Sequence, residues 1–546
     1  MAKKKGKKPA KTAPSATTEK PADKTAPSID SAPPAAVRRD PAKRGLAIAK
    51  PRAAEPPPEP PAFWFGFDVA WAKLLAFRLV FFGLLALDAL LQLRHAPRYG
   101  AGGFNVAQLP LLDGLGPTRV LYAIAQLVCA YLFVLAALGV ATRIAVPLVA
   151  AIYAWLYFGS QLDGYQHHYL VALLLGIACF VPWQRPAEAG HATTVRTWAV
   201  RLVLVQLGIL YLWAAISKLD AAWLDGSTLS VQIQGSVREL IDDTVGIKLV
   251  ARLTILAELV LAVAIWVRPA WFVALPLGVA FHVGILMSNL EIGLFAYLML
   301  AMYLLVIPDR AYVWLAERRP LEVLRRLFAP SATRDLLVGL VTLSGIAIAT
   351  TLVALMCRLP FSLGVALGLG LVPLALVAHR RLRGRPGGAA IGAAHLVALA
   401  LWVLVDRTTS VSVDYYRFWG GSSRRLGDAE AAERAYRKMV ALAPDEGSGH
   451  FQLGRLLLKR GEEREGLEEL RRAQELETAR ARAYVAEAQY LAGKGRTAEA
   501  LAKAEEATYA EPTDQTALDL VDQLSGKKRP PAGAGSGASD DDQDQR

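Results

Sequence analysis

The sequence predicts an all-α protein: a polytopic helical membrane bundle with a disordered basic N-terminal tail and a C-terminal helical-repeat domain. Three observations predict it. Long apolar runs with few or no charges recur between residues 74 and 405. Basic residues collect in alternate loops between those runs, and small residues recur every 34 positions after residue 428.

Residues 1–60 form the first element, opening "MAKKKGKKPAKTAPSA". A Lys, Ala and Pro rich segment buries too little apolar area to offset its chain entropy, so this tail is expected to be disordered. No secretory signal is expected, because the first apolar run starts too far along. The formal net charge of +13 sits largely in this tail and in short loops, which suits membrane topology; no nucleic-acid partner is expected.

Eleven candidate spans follow: 74–92, 120–140, 144–160, 168–184, 199–217, 249–266, 269–287, 290–307, 336–356, 360–378 and 388–405. Each is near the length that crosses hydrocarbon as a helix, the form that satisfies its own backbone hydrogen bonds. The first eight belong to a membrane domain at 70–315, and the last three form an addition at 334–405. With the tail inside, the basic turns "PWQRPAEAGHATTVR", "PDRAYVWLAERRPLEVLRR" and "HRRLRGR" all fall on the cytoplasmic side. That parity sends the turn at 161–167, the end of span five, the end of span seven and everything after 406 outside. The three cysteines, Cys129, Cys179 and Cys357, form neither a metal-ligand spacing nor a disulfide framework.

The C-terminal element is read from its period. Ala432, Gly466 and Ala500 lie 34 residues apart, as do Tyr436, Leu470 and Ala504. The period and the small positions resemble tetratricopeptide repeats, expected over 424–516 as a groove for a peptide or protein partner. A helical hairpin cap without a partner is the plainer alternative. Residues 526–546 are expected to be a disordered tail.

Chemistry is sought where costly polar groups share one membrane depth. His167 and His168 open span four at its outer end, Lys218 ends span five, and His282 lies in the outer half of span seven. A lysine there either snorkels to the headgroups or, desolvated, serves as a base. A histidine beside it either satisfies a structural hydrogen bond or donates to an oxyanion. Asp220, two residues past Lys218, would keep the ammonium charged if they paired. Arg196 and Arg201 are expected to anchor span five, and Gln206 to bridge helices.

The order "HHYL", then "QLGILYLWAAISKLDAAWLDG", then "FHVGILMSNLEIGLFAYLMLA" resembles the vitamin K-dependent gamma-carboxylase family and its bacterial relatives, the horizontally transferred transmembrane (HTTM) domain proteins, over about residues 70–315. The resemblance implies a lysine that deprotonates a vitamin K hydroquinone-like substrate. Oxygen addition then yields a strong base that allows carboxylation of a peptide glutamate. On this chain it implies Lys218 as catalytic base, His167 as the histidine supporting the quinone oxyanion, and His282 as a further pocket histidine. It implies no metal. The family's eukaryotic enzyme follows its membrane block with a large lumenal domain, where this chain instead has three more spans and the repeats. The leading expectation is therefore a bacterial inner-membrane enzyme on a lipophilic quinol-like substrate, carboxylating or oxygenating. A non-catalytic lipid-binding scaffold whose repeats recruit a partner competes with it. A transporter stands third, since no inverted repeat is visible.

Overall fold

A computed structural model of the chain describes residues 67–101, 105–162, 164–184, 193–233, 236–288, 294–317, 350, 388–476, 479–512 and 514–526. The expected tails, the spans at 336–356 and 360–378, and Cys357 lie outside the described residues, Thr350 and Gly526 excepted. The described protein is a helical bundle continued by a stack of helix pairs, with one two-stranded ribbon.

A short strand β1 (Asp68–Ala70) leads into α1 (Trp71–Leu91), which runs on as a 3-10 segment, Gln92–Gly100. Then come α2 (Arg119–Ala137), α3 (Thr142–Phe158) and α4 (Gln166–Ala178). Strand β2 (Thr194–Arg196) precedes α5 (Trp198–Ser217). The two strands pair antiparallel, Asp68 opposite Arg196 and Ala70 opposite Thr194, so α1 and α5 start at one end of the bundle. Their C-termini therefore reach the opposite end, called the site end below. Three short helices follow there, α6 (Ala221–Leu224), α7 (Ser227–Gln232) and α8 (Ser236–Thr244). The chain returns through α9 (Ile247–Ala264), α10 (Trp271–Met287), α11 (Phe295–Tyr303) and α12 (Asp309–Ala316).

Among the described residues, four helical stretches are long and apolar enough to cross a membrane: Trp71–Gly100, Arg119–Ala137, Trp198–Ser217 and Arg268–Met287. The count becomes five if His395–Arg407 and Thr409–Arg425, bent by 71°, make one span. Eleven spans were expected; two of them, 336–356 and 360–378, fall outside the described residues apart from Thr350, and several others are too short or too charged to pass on length and composition. Helix α4, at 13 residues, is shorter than the hydrocarbon thickness requires, and α3, at 17, is at the lower limit. Helix α9 carries Lys248, Arg252 and Glu258, and α11 has only nine residues.

The bundle core is aromatic. Phe77 stacks on Phe81 at 5.2 Å, and Phe82 meets Trp183 edge-on at 5.3 Å. Arg78 sits within this core because two carbonyls need its protons: Nε donates to Ala137 at 3.1 Å and Nη1 to Trp183 at 2.8 Å. Gly139, at φ +76°, passes so close to that guanidinium that a Cβ there would lie 2.7 Å from both terminal nitrogens. At the opposite end from the site, Arg196 pairs with Asp68 at 3.2 Å and Arg201 lies over Phe67.

Helix α13 (Gly388–Arg407) packs on α1 and α2, then breaks at Thr408 into α14 (Thr409–Arg425). Helix α14 lies on the 3-10 segment 92–100, so the C-terminal region begins at the site end. Arg94 pairs with Asp414 at 3.0 Å, Arg119 donates to the Tyr415 hydroxyl at 3.1 Å, and His95 stacks on Phe418 at 4.7 Å. Beyond it are α15 (Ala429–Leu442), α16 (Gly447–Arg460), α17 (Glu463–Glu475), α18 (Arg480–Gly493), α19 (Thr497–Ala510) and α20 (Gln515–Ser525).

These helices pair successively, and small residues sit at each crossing. Gly420, Gly454 and Ala488 lie 34 apart on the first helices, matched by buried Ala432, Gly466 and Ala500 on the second. A Cβ on Gly454 would come within 2.9 Å of the Gly466 carbonyl, and one on Gly420 would strike the Tyr436 ring. Helix α14 is thus the first helix of the first pair and crosses the expected boundary at 424.

Candidate functional site

Helix α5 carries two of the site's groups on one face. Tyr211 and Lys218 are seven residues apart, two helical turns. Gly208, one turn earlier, lets α9 approach closely: a Cβ there would be 2.6 Å from the Ala262 carbonyl. That crossing sets Glu258 of α9 beside the end of α5.

Lys218 ends α5 as its C-cap residue, and its amine is held on several sides. Nζ donates to both carboxylate oxygens of Glu258, at 2.8 and 3.0 Å, and to the Ala214 carbonyl at 3.1 Å. The indole of Trp223 lies 5.3 Å away, presenting its negative face to the ammonium. The Glu258 side chain is 5% exposed and that of Lys218 18%. Asp220, two residues past Lys218, does not pair with it but caps α6 by accepting from Trp223 N at 2.9 Å. A carboxylate within the α6 N-cap turn cannot also reach back to the amine, so Glu258 takes that place.

The second group lies one layer deeper. The Tyr211 hydroxyl is 2.7 Å from Nε2 of His282 and 2.8 Å from the Tyr303 hydroxyl. His282 is 2% exposed. Gly278, one turn before it on α10, makes room for Tyr303, whose ring end would collide with any side chain there. Phe281 and Phe295 wall the imidazole at 5.3 and 6.4 Å.

The two adjacent histidines of α4 separate into different roles. His168 is buried, and its Nδ1 is 2.7 Å from the Tyr153 hydroxyl, a bond between α3 and α4. His167 is half-buried, stacked on Tyr165 at 5.5 Å, and its ring lies 6.2 Å from that of Phe295. His167 and His282 therefore both approach one phenylalanine, while the amine of Lys218 is bonded to neither histidine. Arg98 ties this end together. It donates to the Leu162 carbonyl at 2.6 Å, just before the histidines, and lies 5.3 Å over Phe418 of α14.

Sequence reasoning missed Glu258, Tyr211 and Tyr303. Glu258 had a signal: it is a lone carboxylate within "LTILAELVLAVAIW", and such a group needs a partner inside a membrane. Among the described residues, no group of three or more His, Cys, Asp or Glu is arranged to hold a metal. Cys129 and Cys179 are free thiols.

Fold and site define a helical, multi-pass type of membrane protein with a buried ammonium–carboxylate pair at one end of the bundle. The family model of the HTTM domain matches residues 68–310, a stretch that holds Lys218, Glu258, His167 and His282 and stops short of the helix pairs. No curated protein matches the chain.

Proposed function

We propose that this protein is a membrane enzyme that uses Lys218 as a base on a lipophilic quinol-like substrate, with oxygenation or carboxylation as the reaction that follows. The observation that carries the reading is the amine of Lys218, bonded to buried Glu258 in a stretch that matches the HTTM domain. In a low-dielectric setting, an ammonium and a carboxylate at 2.8 Å can exchange one proton and become a neutral amine and acid. The amine then accepts a substrate hydroxyl proton, and the ammonium so formed faces the substrate oxyanion. Glu258 keeps the first proton, so no net charge enters the site. The resemblance to the vitamin K-dependent gamma-carboxylase family supports the quinol as substrate class and His167 as a helper of its oxygen.

The helix pairs are read as tetratricopeptide-like and as the seat of a peptide or protein partner. Their junction with the site end favours that role, since a bound partner would sit beside Lys218 rather than across the bilayer. A bacterial inner membrane, with the repeats in the periplasm, is the setting this reading assigns.

One observation favours a second reading, a non-catalytic lipid-binding scaffold: the bidentate pair also serves as a latch between α5 and α9. Mass spectrometry of lipid and quinone species carried by the purified protein, before and after oxygen, separates the two. The enzyme reading expects a bound quinol converted on exposure to oxygen. Phospholipid alone, unchanged by oxygen, supports the scaffold.

A further inference from the structure

At the end opposite Lys218 the chain gathers positive charge around one ring. The ribbon sets this up: Asp68 lies opposite Arg196, and Thr197 N donates to the Phe67 carbonyl at 2.8 Å, which fixes Phe67 beside the start of α5. Arg201, on the first turn of α5, brings its guanidinium carbon to 4.9 Å from the centre of the Phe67 ring. The turn between α9 and α10 brings Arg268 to 4.2 Å from the same ring, with Nη2 donating to the Asp68 carbonyl. Lys73 stands close by, since its amine and the Arg268 guanidinium share the Trp271 ring at 5.0 and 5.8 Å. Asp309 lies 2.8 Å from the Lys73 amine, and Asp68 lies 3.2 Å from Nε of Arg196. The four cations and two carboxylates named here leave an excess of two positive charges.

We propose that Arg201 and Arg268 together bind the phosphate of an anionic phospholipid. Their like charges repel each other, and an anion held between them turns that repulsion into two attractions. Guanidinium suits the task, because its planar fork of donors matches the oxygens of a phosphate. Each arginine has an exposed aromatic side chain one helical turn away, Trp198 before Arg201 and Phe272 after Arg268. Phe180 extends that surface, its ring 5.4 Å from Trp198. Exposed aromatic rings gather at the boundary between membrane and water, the depth at which lipid phosphates lie. The acyl chains run along the exposed apolar side chains of α5 and α10, Leu202 on one and Val279 on the other. Free phosphate shares the headgroup chemistry but makes no use of that apolar surface, so the lipid is the occupant assigned. The site does not depend on the reaction proposed at Lys218.

The test uses the full chain purified in detergent, with native mass spectrometry reading its adducts with phosphatidylglycerol and with phosphatidylcholine. The wild type is expected to hold phosphatidylglycerol about tenfold more tightly than phosphatidylcholine. Arg201→Gln combined with Arg268→Gln is expected to bring that ratio to about one, with phosphatidylcholine binding unchanged. Arg143→Gln, which removes an exposed arginine on the first turn of α3 at the same end, is expected to keep the ratio. That comparison separates a built site from general surface charge. Arg201→Lys combined with Arg268→Lys keeps the charge without the fork and is expected to lower the ratio severalfold, a second reading if the Gln pair does not fold. Equal binding of the two lipids by the wild type overturns the proposal. So does a ratio that survives in either double variant, or one that is lost in Arg143→Gln. Displacement of bound phosphatidylglycerol by equimolar inorganic phosphate overturns the lipid as occupant and shows a soluble-anion site instead.

Discussion

Replacing Lys218 with Met keeps most of the stem length and removes the amine, which strands the carboxylate of Glu258 at 5% exposure. Breaking a buried ion pair from one side costs about 3–5 kcal/mol, because the remaining charge loses its partner without regaining water. The 18% exposure of Lys218 lets solvent reach part of the pair, which sets the expectation at the lower end, about 3 kcal/mol. Glu258→Gln should cost less, about 1–2 kcal/mol, since its amide oxygen still accepts from Nζ. The double variant Lys218→Met, Glu258→Gln has no stranded charge and should return to within about 1 kcal/mol of the wild type. The assay is reversible unfolding in bicelles, run as a double-mutant cycle. A Lys218→Met protein as stable as the wild type, with coupling near zero, would refute the buried-pair geometry. The cycle also decides which variant can be used for kinetics, because only the double variant removes the amine without stranding a buried charge.

Three further outcomes follow from particular contacts. Gly278→Ala should push the Tyr303 ring off α10 and cost about 1–3 kcal/mol by overpacking; Gly278→Ala combined with Tyr303→Leu, which clears the space, should recover part of it in the same unfolding assay. His450 of α16 has its pKa raised, chiefly by the hydrogen bond to Glu469 at 2.6 Å, opposed by partial burial. A raised folded pKa stabilises fully below the unfolded value and is lost as pH climbs through the folded one. Hydrogen-exchange protection of 447–475, corrected for intrinsic rate, should therefore fall on the alkaline side, and His450→Gln should abolish that fall. Single cysteines placed at exposed Tyr165 and exposed Tyr509 should react with a membrane-impermeant thiol reagent from the same side of the bilayer; opposite sides would contradict the seating of α14 on residues 92–100.

The helical bundle was legible because an apolar run long enough to span has few alternatives to a helix. Its count was less so. The apolar runs gave spans at 249–266 and 290–307, whereas the described α9 carries Lys248, Arg252 and Glu258 and the described α11 has nine residues. The repeat period was legible from Ala432, Gly466 and Ala500, but its first helix was hidden, because α14 continues directly from the apolar α13.

At the site, Lys218 and His282 stood out as polar groups among apolar neighbours. Glu258 is the same kind of signal, a lone carboxylate among apolar neighbours, but its partner is 40 residues away and on another helix. Tyr211 and Tyr303 could not be singled out: tyrosine in an apolar helix packs or bonds according to partners that only the tertiary arrangement supplies. Sequence also could not divide His167 from His168. Their difference lies in Tyr153, fifteen residues before His168 on another helix.

The central claim is that Lys218 is a base. It is tested most directly by oxygen uptake of the reconstituted protein with a naphthohydroquinone, wild type against the Lys218→Met, Glu258→Gln double variant, with probe binding measured in both. The account predicts that the double variant folds and binds the probe, and loses turnover by about a hundredfold to ten-thousandfold, the contribution typical of a positioned proton acceptor. Equal turnover in the two proteins would contradict it.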